Sequence, residues 1–184
     1  MNKDKNMTRL KNLVLSALFA ALICVATAFI KFNTGINNGY VHVGDSIIYL
    51  AACLLPVPNA MIAAAVGAAF ADVLAGAAMW APFTAVIKAL NALTVFLFYR
   101  MKANKKKDRI LSPLSAAGSA VSGLVTIFGY LLAEGFLYSF PTALTSVPFS
   151  IIQSVGGAII FVIIAAALDK INFKNRLKQG VYHG

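Results

Sequence analysis

Ionisable residues within apolar sequence are few in this chain, and they are the side chains best suited to chemistry. The basic clusters at the ends of apolar runs, together with the acidic residues and the histidine within or next to them, are set aside first, because such clusters commonly orient membrane segments. Six ionisable residues then remain: Lys31, His42, Asp45, Asp72, Lys88 and Glu134. Charges are costly in an apolar environment, so these residues are candidates for ligand binding or for buried ion pairs.

Asp72 and Lys88 form the most specific pair among them. Asp72 lies near the end of one predicted helix, and Lys88 lies near the start of the next. At a rise of about 1.5 Å per residue the two side chains reach a similar depth and can meet across the hairpin. We expect an ion pair that neutralises two costly charges, direct ligand contact by at least one of the two residues, or both.

Polar stripes on three consecutive helices converge toward the same side of the protein. They comprise Thr84, Lys88 and Asn91 in the fourth helix, Tyr130 and Glu134 in the fifth, and Gln153 in the sixth. Serine and threonine on these faces are explained well enough by hydrogen bonds between helices. The larger polar groups need partners in hydrocarbon, which favours a binding site.

Aromatic residues and a polar loop border this zone. Trp80 and several tyrosines either form an interfacial belt or line a pocket for a flat ligand. The loop Asn33–Val43 is polar and contains glycine, so we expect it to act as a lid. Asp45, just after this loop, either caps the second helix or contacts the ligand. The residues predicted to bind substrate are Asn38, Tyr40, His42, Asp45, Asp72, Trp80, Thr84, Lys88, Asn91, Tyr130, Glu134 and Gln153.

No catalytic pattern accompanies these residues. The two histidines, His42 and His183, are predicted to lie on opposite sides of the membrane, which disfavours a zinc site. No Ser/His/Asp set lies on one side at a plausible depth. We therefore expect no enzyme activity, no metal and no cofactor.

The elements that position these residues are predicted to be membrane-spanning helices. Apolar residues make up 60% of the 184 residues and charged residues only 12%, and the mean hydropathy is +0.80. Apolar runs approach the roughly 20 residues needed to cross a bilayer. The sequence predicts an all-α polytopic protein with one domain, residues 1–184, and six helices at about 11–30, 39–55, 59–77, 82–100, 112–133 and 147–169.

Charge fixes the predicted topology. Fourteen of the 16 Lys and Arg residues fall into three clusters, at Lys3–Lys11, Arg100–Arg109 and Lys170–Lys178. Six spans place all three clusters on one side, which is then the cytoplasm, together with both termini. The second helix must therefore cross despite its short apolar run. The first run resembles a signal peptide but is long enough to remain as a membrane helix. The net charge of +10 is better explained by these flanks than by nucleic-acid binding.

Small residues in the first and third helices indicate close packing. Ala17 and Ala21 form an A-x-x-x-A pattern, and Gly67 and Ala71 recur at the same spacing. Such residues let helices approach closely. We expect these four residues to pack against a partner.

The stretch Gly39–Leu93 resembles the substrate-binding S components of energy-coupling factor (ECF) transporters, most closely the riboflavin/pyridoxine-type branch. The matching segments are His42-Val43-Gly44-Asp45, Gly67 to Asp72, Trp80-Ala81-Pro82-Phe83-Thr84 and Ile87-Lys88-Ala89, with Ala17-x-x-x-Ala21 upstream. Ala89 and Leu55-Pro56-Val57-Pro58 depart from the common pattern, since members often have glycine after the lysine and Leu-Gly-Pro after the second helix. These departures weaken assignment to a particular vitamin.

The resemblance implies a six-helix subunit of the bacterial cytoplasmic membrane that binds a vitamin from outside. The vitamin would be riboflavin, pyridoxine or a hydroxymethylpyrimidine-like precursor. Such subunits dock through the alanine motif of the first helix onto a membrane coupling (T) subunit with two ATPases, and ATP hydrolysis is thought to topple them and release the vitamin inside. The chain lacks G-x-x-x-x-G-K-[ST], so it does not supply an ATPase itself. The alternatives are a small autonomous secondary transporter or channel and, less favoured, an intramembrane enzyme.

Overall fold

The computed structural model describes residues 2–33, 40–101 and 109–179. Its helices are α1 (Asn2–Phe29), α2 (Gly44–Leu54), α3 (Val57–Leu74), α4 (Ala81–Arg100), α5 (Pro113–Leu137), α6 (Phe140–Lys170) and α7 (Phe173–Gln179). One 3-10 turn, Ala78–Trp80, leads into α4. Two short strands, β1 (Lys31–Asn33) and β2 (Tyr40–His42), form an antiparallel ribbon between α1 and α2.

Five of the helices are long and apolar enough to cross a membrane: α1, α3, α4 with its preceding 3-10 turn, α5 and α6. Large apolar side chains on their outer faces are exposed, among them Leu13, Ile62, Phe70 and Phe128. An apolar exterior of this kind suits contact with lipid. Each helix also satisfies its own backbone hydrogen bonds, as a segment in hydrocarbon must. The prediction of an all-α polytopic membrane protein is confirmed.

Helix α2 is shorter than predicted, since residues 40–42 belong to strand β2. Its 11 residues rise about 16 Å, too little to span hydrocarbon alone. Nine of them are buried, and the helix contacts α1, α3, α4 and α6. Because α2 is enclosed by these helices, it does not need to be long enough to face lipid across the whole bilayer. That α2 carries the chain across the membrane stays a prediction.

The prediction that a loop separates the last two spans, between about residues 133 and 147, is wrong. Helix α5 continues to Leu137, and α6 starts at Phe140 with Pro148 inside it. Ser139 caps α6 by accepting a hydrogen bond from the Thr142 N–H. The basic tail is also partly helical, since α7 follows α6.

Helices α1 and α3 approach closely at Gly67. A Cβ atom on Gly67 would lie 2.5 Å from the Ala20 carbonyl oxygen, so only glycine fits there without movement. Gly67 and Ala71 are buried within the protein, and the expectation that they pack against a partner is therefore wrong. Ala17 and Ala21 are exposed on the outer face of α1.

The basic ends of the helices, meaning the start of α1, the end of α4, the start of α5 and the end of α6, are tied together by α7. Lys11 donates to the Leu177 carbonyl, and Lys174 donates to the Tyr99 hydroxyl. Tyr99 in turn donates to the Arg109 carbonyl at 2.8 Å. We call this end of the bundle the basic end; the ribbon lies toward the opposite end.

Candidate functional site

Asp45, in the first turn of α2, joins three helices through one carboxylate. Its Oδ1 accepts a hydrogen bond from Lys88 Nζ of α4 at 2.6 Å. Its Oδ2 accepts a hydrogen bond from Gln153 Nε2 of α6 at 2.9 Å. The side chains of Asp45 and Lys88 are fully buried. A buried carboxylate and ammonium are tolerable only when they are paired in this way.

This arrangement corrects two predictions. Lys88 pairs directly with Asp45, whereas Asp72 acts on Lys88 electrostatically. Asp45 does not cap α2, because the N-cap residue is Val43 and that end has no side-chain cap hydrogen bond. Asp45 instead lies one residue inside α2, and its side chain points toward α4 and α6.

His42 ends the ribbon directly above this cluster. Its Nδ1 accepts a hydrogen bond from the Gly44 N–H at 3.1 Å, and its side chain is buried. The pKa of His42 is lowered from 6.5 to about 4, chiefly by burial; Asp45 opposes this shift, and Lys88 and Lys31 add to it. The imidazole is therefore neutral at physiological pH and serves as an acceptor in the turn.

Gly44 makes this turn possible. A Cβ atom here would lie 2.0 Å from Thr27 Oγ1 of α1 and 3.1 Å from His42 Nδ1. Contacts as short as the first do not occur between real side chains, so any larger residue must displace the Thr27 side chain. Gly44 thus sets the position of Asp45 one residue later. Neither Gly44 nor Thr27 was singled out as a functional residue from the sequence, because their importance depends on a contact between distant segments.

A polar ladder connects α4 and α5 below and beside Lys88. Asn91 Nδ2 donates to Thr126 Oγ1 at 2.8 Å, and Ser122 Oγ donates to the Asn91 carbonyl at 3.4 Å. Thr84 Oγ1 and the Tyr130 hydroxyl are 3.3 Å apart. Thr84, Lys88 and Asn91 of α4 are therefore all buried and all take part in contacts with neighbouring helices.

Serines on α5 and α6 mostly bond to backbone carbonyls. Ser154 Oγ donates to the Gly123 carbonyl at 3.2 Å across the α5–α6 contact, and Ser119 Oγ donates to Ala116 of its own helix. These bonds agree with the interpretation that serine and threonine here serve helix packing. Lys88, Asn91 and Gln153 contribute one amine and two amide groups to the polar contacts between helices.

Aromatic rings cover the cluster on one side. Lys88 Nζ lies 5.2 Å from the centroid of the Tyr130 ring, a distance typical of a cation–π contact. Trp80 packs against Tyr130 and Tyr138, with ring centroids 6.1 and 6.2 Å away. Tyr49 packs edge-on against Phe161 in the core. Tyr130 thus lies over the Lys88 ammonium, and Trp80 packs on Tyr130.

Trp80 Nε1 and Asn91 Oδ1 are among the buried polar atoms that have no hydrogen-bond partner within the part of the chain that the structure describes. One is a donor and the other an acceptor. Buried polar atoms without partners are uncommon and costly, so each calls for an explanation. A ligand that supplies an acceptor and a donor would satisfy both.

The remaining predicted residues are placed as follows. Asp72 in α3 and Glu134 in α5 are buried, with 4% and 6% of their surface exposed. Tyr40 belongs to β2, and Asn38 lies outside the described residues. No group of three His, Cys, Asp or Glu side chains that could hold a metal occurs within residues 2–33, 40–101 and 109–179.

Comparison with known proteins agrees with this geometry. A family described as "ECF-type riboflavin transporter, S component" matches residues 7–170. A Pyrococcus woesei protein described as "Uncharacterized protein in gap 3'region" is 33% identical over 138 residues, which cover 75% of this chain and 88% of that protein. The match extends from α1 to the last residue of α6 and therefore includes every helix that contributes to the site.

Proposed function

We propose, on the premise that this chain belongs to the ECF-type riboflavin transporter S component family, that it captures a water-soluble vitamin from outside for ATP-driven uptake. Membership makes the chain a membrane substrate-binding subunit of a vitamin transporter, and this family has a transport role rather than an enzymatic one. The substrate would be riboflavin, pyridoxine or a hydroxymethylpyrimidine-like compound.

The buried cluster of Asp45, Lys88 and Gln153 is the observation that supports this proposal most strongly. Ionisable groups inside membrane helices commonly mark a substrate path. Here they come from α2, α4 and α6 and lie next to the ribbon that precedes α2. A site at this position would open toward the side opposite the basic clusters, which the charge pattern assigns to the outside.

The chemistry of the site favours a flat, uncharged, polar ligand. Asp45 neutralises the Lys88 ammonium, so the cation is not available as the main counter-ion of an anionic substrate. Trp80 and Tyr130 offer faces for ring stacking. The indole N–H of Trp80 could donate to an acceptor on the edge of a heteroaromatic vitamin, and the side-chain oxygen Oδ1 of Asn91 could accept from a donor there.

The β1–β2 ribbon would be part of the lid. It pairs Lys31 with His42 and Phe32 with Val41, and β2 contacts α6 and α1. Two three-residue strands form a small sheet of marginal stability by themselves. Opening this ribbon would expose His42 and the Asp45 cluster without disturbing the long helices.

The exposed face of α1 at Ala17 and Ala21 would receive the coupling subunit. Both alanines lie on the outer surface of the bundle, where small side chains permit close approach of a partner helix. Family membership implies association with the T and ATPase subunits. The whole importer would be a complex in the cell membrane.

Binding by the purified protein tests this proposal. Titration with riboflavin, pyridoxine and hydroxymethylpyrimidine should reveal one saturable ligand, and Lys88→Ala should weaken binding by at least about 1.5 kcal/mol. Arg176→Ala, an exposed residue of α7, is the matched control and should bind like the wild type. Unchanged affinity in a folded Lys88→Ala protein would refute a role for Lys88.

Uptake tests the coupling. Liposomes that contain the chain with a T subunit and both ATPases should accumulate the vitamin only when ATP is supplied. The chain alone should bind the vitamin without accumulating it. Proton-driven accumulation by the chain alone would identify an autonomous transporter instead.

A further inference from the structure

A cavity of about 540 Å³ lies at the basic end of the bundle, between the start of α5 and the end of α6. This volume falls within the usual range for small-molecule sites. Arg109 and Lys170 contribute the cationic part of its wall, and both side chains are exposed. The cavity shares no residue with the Asp45 cluster, so it requires its own explanation.

Asp169 fixes the shape of this cavity. Its Oδ1 accepts a hydrogen bond from the Ile110 N–H at 2.7 Å, and its Oδ2 accepts one from the Leu111 N–H at 2.9 Å. Both carboxylate oxygens are therefore bonded to backbone, which holds the segment before α5 against the end of α6. The two cations exceed the single carboxylate by one positive charge, so the wall favours an anion.

Apart from Ser112, the rest of the wall is apolar. Leu111, Pro113, Ala116 and Ala166 line it, and the two alanines leave space between α5 and α6. The cavity thus has cations at its rim and a hydrocarbon-like surface next to them. This combination matches a molecule with an anionic head and an apolar body.

We propose that this cavity binds an anionic phospholipid of the cytoplasmic leaflet. The phosphate lies between Arg109 and Lys170, and the upper part of an acyl chain lies over Ala116 and Ala166. Basic pockets between membrane helices on the cytoplasmic side are suited to anionic lipid head groups. The positive-inside pattern of the three basic clusters assigns this end of the bundle to the cytoplasm.

A shaped site differs from diffuse attraction to an anionic surface. Any juxtamembrane basic residue attracts anionic lipid in proportion to charge, wherever it lies. A cavity between α5 and α6 instead predicts one tightly bound lipid per protein, lost when its own cations are removed and kept when the same charge is removed elsewhere.

Native mass spectrometry of the full chain in detergent tests the proposal. Phosphatidylglycerol and phosphatidylcholine with identical acyl chains are titrated separately. We expect one phosphatidylglycerol per protein, and at least about tenfold weaker binding in the Arg109→Gln, Lys170→Gln double variant. Tyr99 donates to the Arg109 backbone carbonyl, so this bond survives the substitution.

The matched control is the Arg9→Gln, Arg176→Gln double variant, which removes the same charge from two exposed positions outside the cavity. It should keep the bound lipid. Ala166→Leu fills the apolar part without changing charge and should also weaken lipid binding.

Four results would overturn the proposal. Equal binding of both lipids, or no loss in the cavity double variant, would show that no anionic-lipid site exists. Displacement of the lipid by inorganic phosphate alone would identify a small-anion site. Lipid binding that is unchanged in the cavity double variant, together with loss of the coupling subunit that co-purifies with the wild-type chain, would assign the cavity to a protein partner. None of these results depends on vitamin binding.

Discussion

Asp45 of α2 and Lys88 of α4 form a buried ion pair, with Oδ1 and Nζ 2.6 Å apart and neither side chain exposed. The second carboxylate oxygen is held by Gln153 of α6. Polar contacts thus fix the short helix α2 to two long helices. The pair therefore links the stability of the bundle to the geometry of the proposed vitamin site.

Breaking this pair should destabilise the protein. Lys88→Met leaves the Asp45 carboxylate buried without its cation, and we expect a loss of about 3–5 kcal/mol. The Asp45→Asn, Lys88→Met double variant removes both charges and should recover much of this loss. Thermal unfolding in detergent measures both, with Arg176→Met as an exposed control. Equal unfolding temperatures for wild type and Lys88→Met would contradict the pairing.

Trp80 should report ligand binding directly. It is the single tryptophan of the chain, it is buried, and it packs against Tyr130. A vitamin stacked at this position should change Trp80 fluorescence in a saturable manner. In the Trp80→Phe, Leu13→Trp variant the tryptophan moves to an exposed position on α1, and the signal should vanish. An identical signal there would indicate a non-specific optical effect.

Gly44→Ala should be strongly unfavourable. The added methyl group would overlap Thr27 Oγ1, and overpacking of this kind costs about 1–3 kcal/mol. Thr27→Ala in the same chain removes the clashing oxygen and should restore part of the stability. Gly156→Ala is the control, because its Cβ would meet nothing within 4 Å. Equal effects of the two glycine substitutions would show that the Gly44 contact is unimportant.

The lowered pKa of His42 leads us to expect that the protein loses stability in mild acid. Its pKa is 6.5 when unfolded and about 4 when buried, so the unfolded chain binds the proton more readily between these values. The stabilising contribution is complete above pH 6.5 and disappears as the pH falls to about 4, a change of at most about 3 kcal/mol. His42→Asn should unfold with a flatter pH profile over this range. A profile as steep as that of the wild type would assign the effect to other groups.

The sequence predicted the polar face of α4 well, because a regular helix fixes which residues share a side. Thr84, Lys88 and Asn91 are all buried as that periodicity requires. The partner of Lys88 was not predictable in the same way. The sequence indicated Asp72, whereas the structure pairs Lys88 with Asp45, because the rise per residue says nothing about the rotation of a neighbouring helix.

The parts that failed share a lack of local pattern. Strands of three residues are too short to show alternation, so the ribbon was read as a loop. The sixth helix was predicted to start at about residue 147, whereas α6 starts at Phe140 and continues through Pro148. Gly67 was assigned to a partner surface, although its tight contact with Ala20 lies inside the protein. In each case contacts between distant segments decided the outcome.

The most direct test of the central claim is mass spectrometry of small molecules released from the protein purified in mild detergent. The proposed function predicts one water-soluble vitamin of the riboflavin, pyridoxine or hydroxymethylpyrimidine type at near-stoichiometric yield from the wild type, and much less from Lys88→Ala. A folded wild-type protein that carries none of these compounds, and binds none when each is added back, would contradict the account.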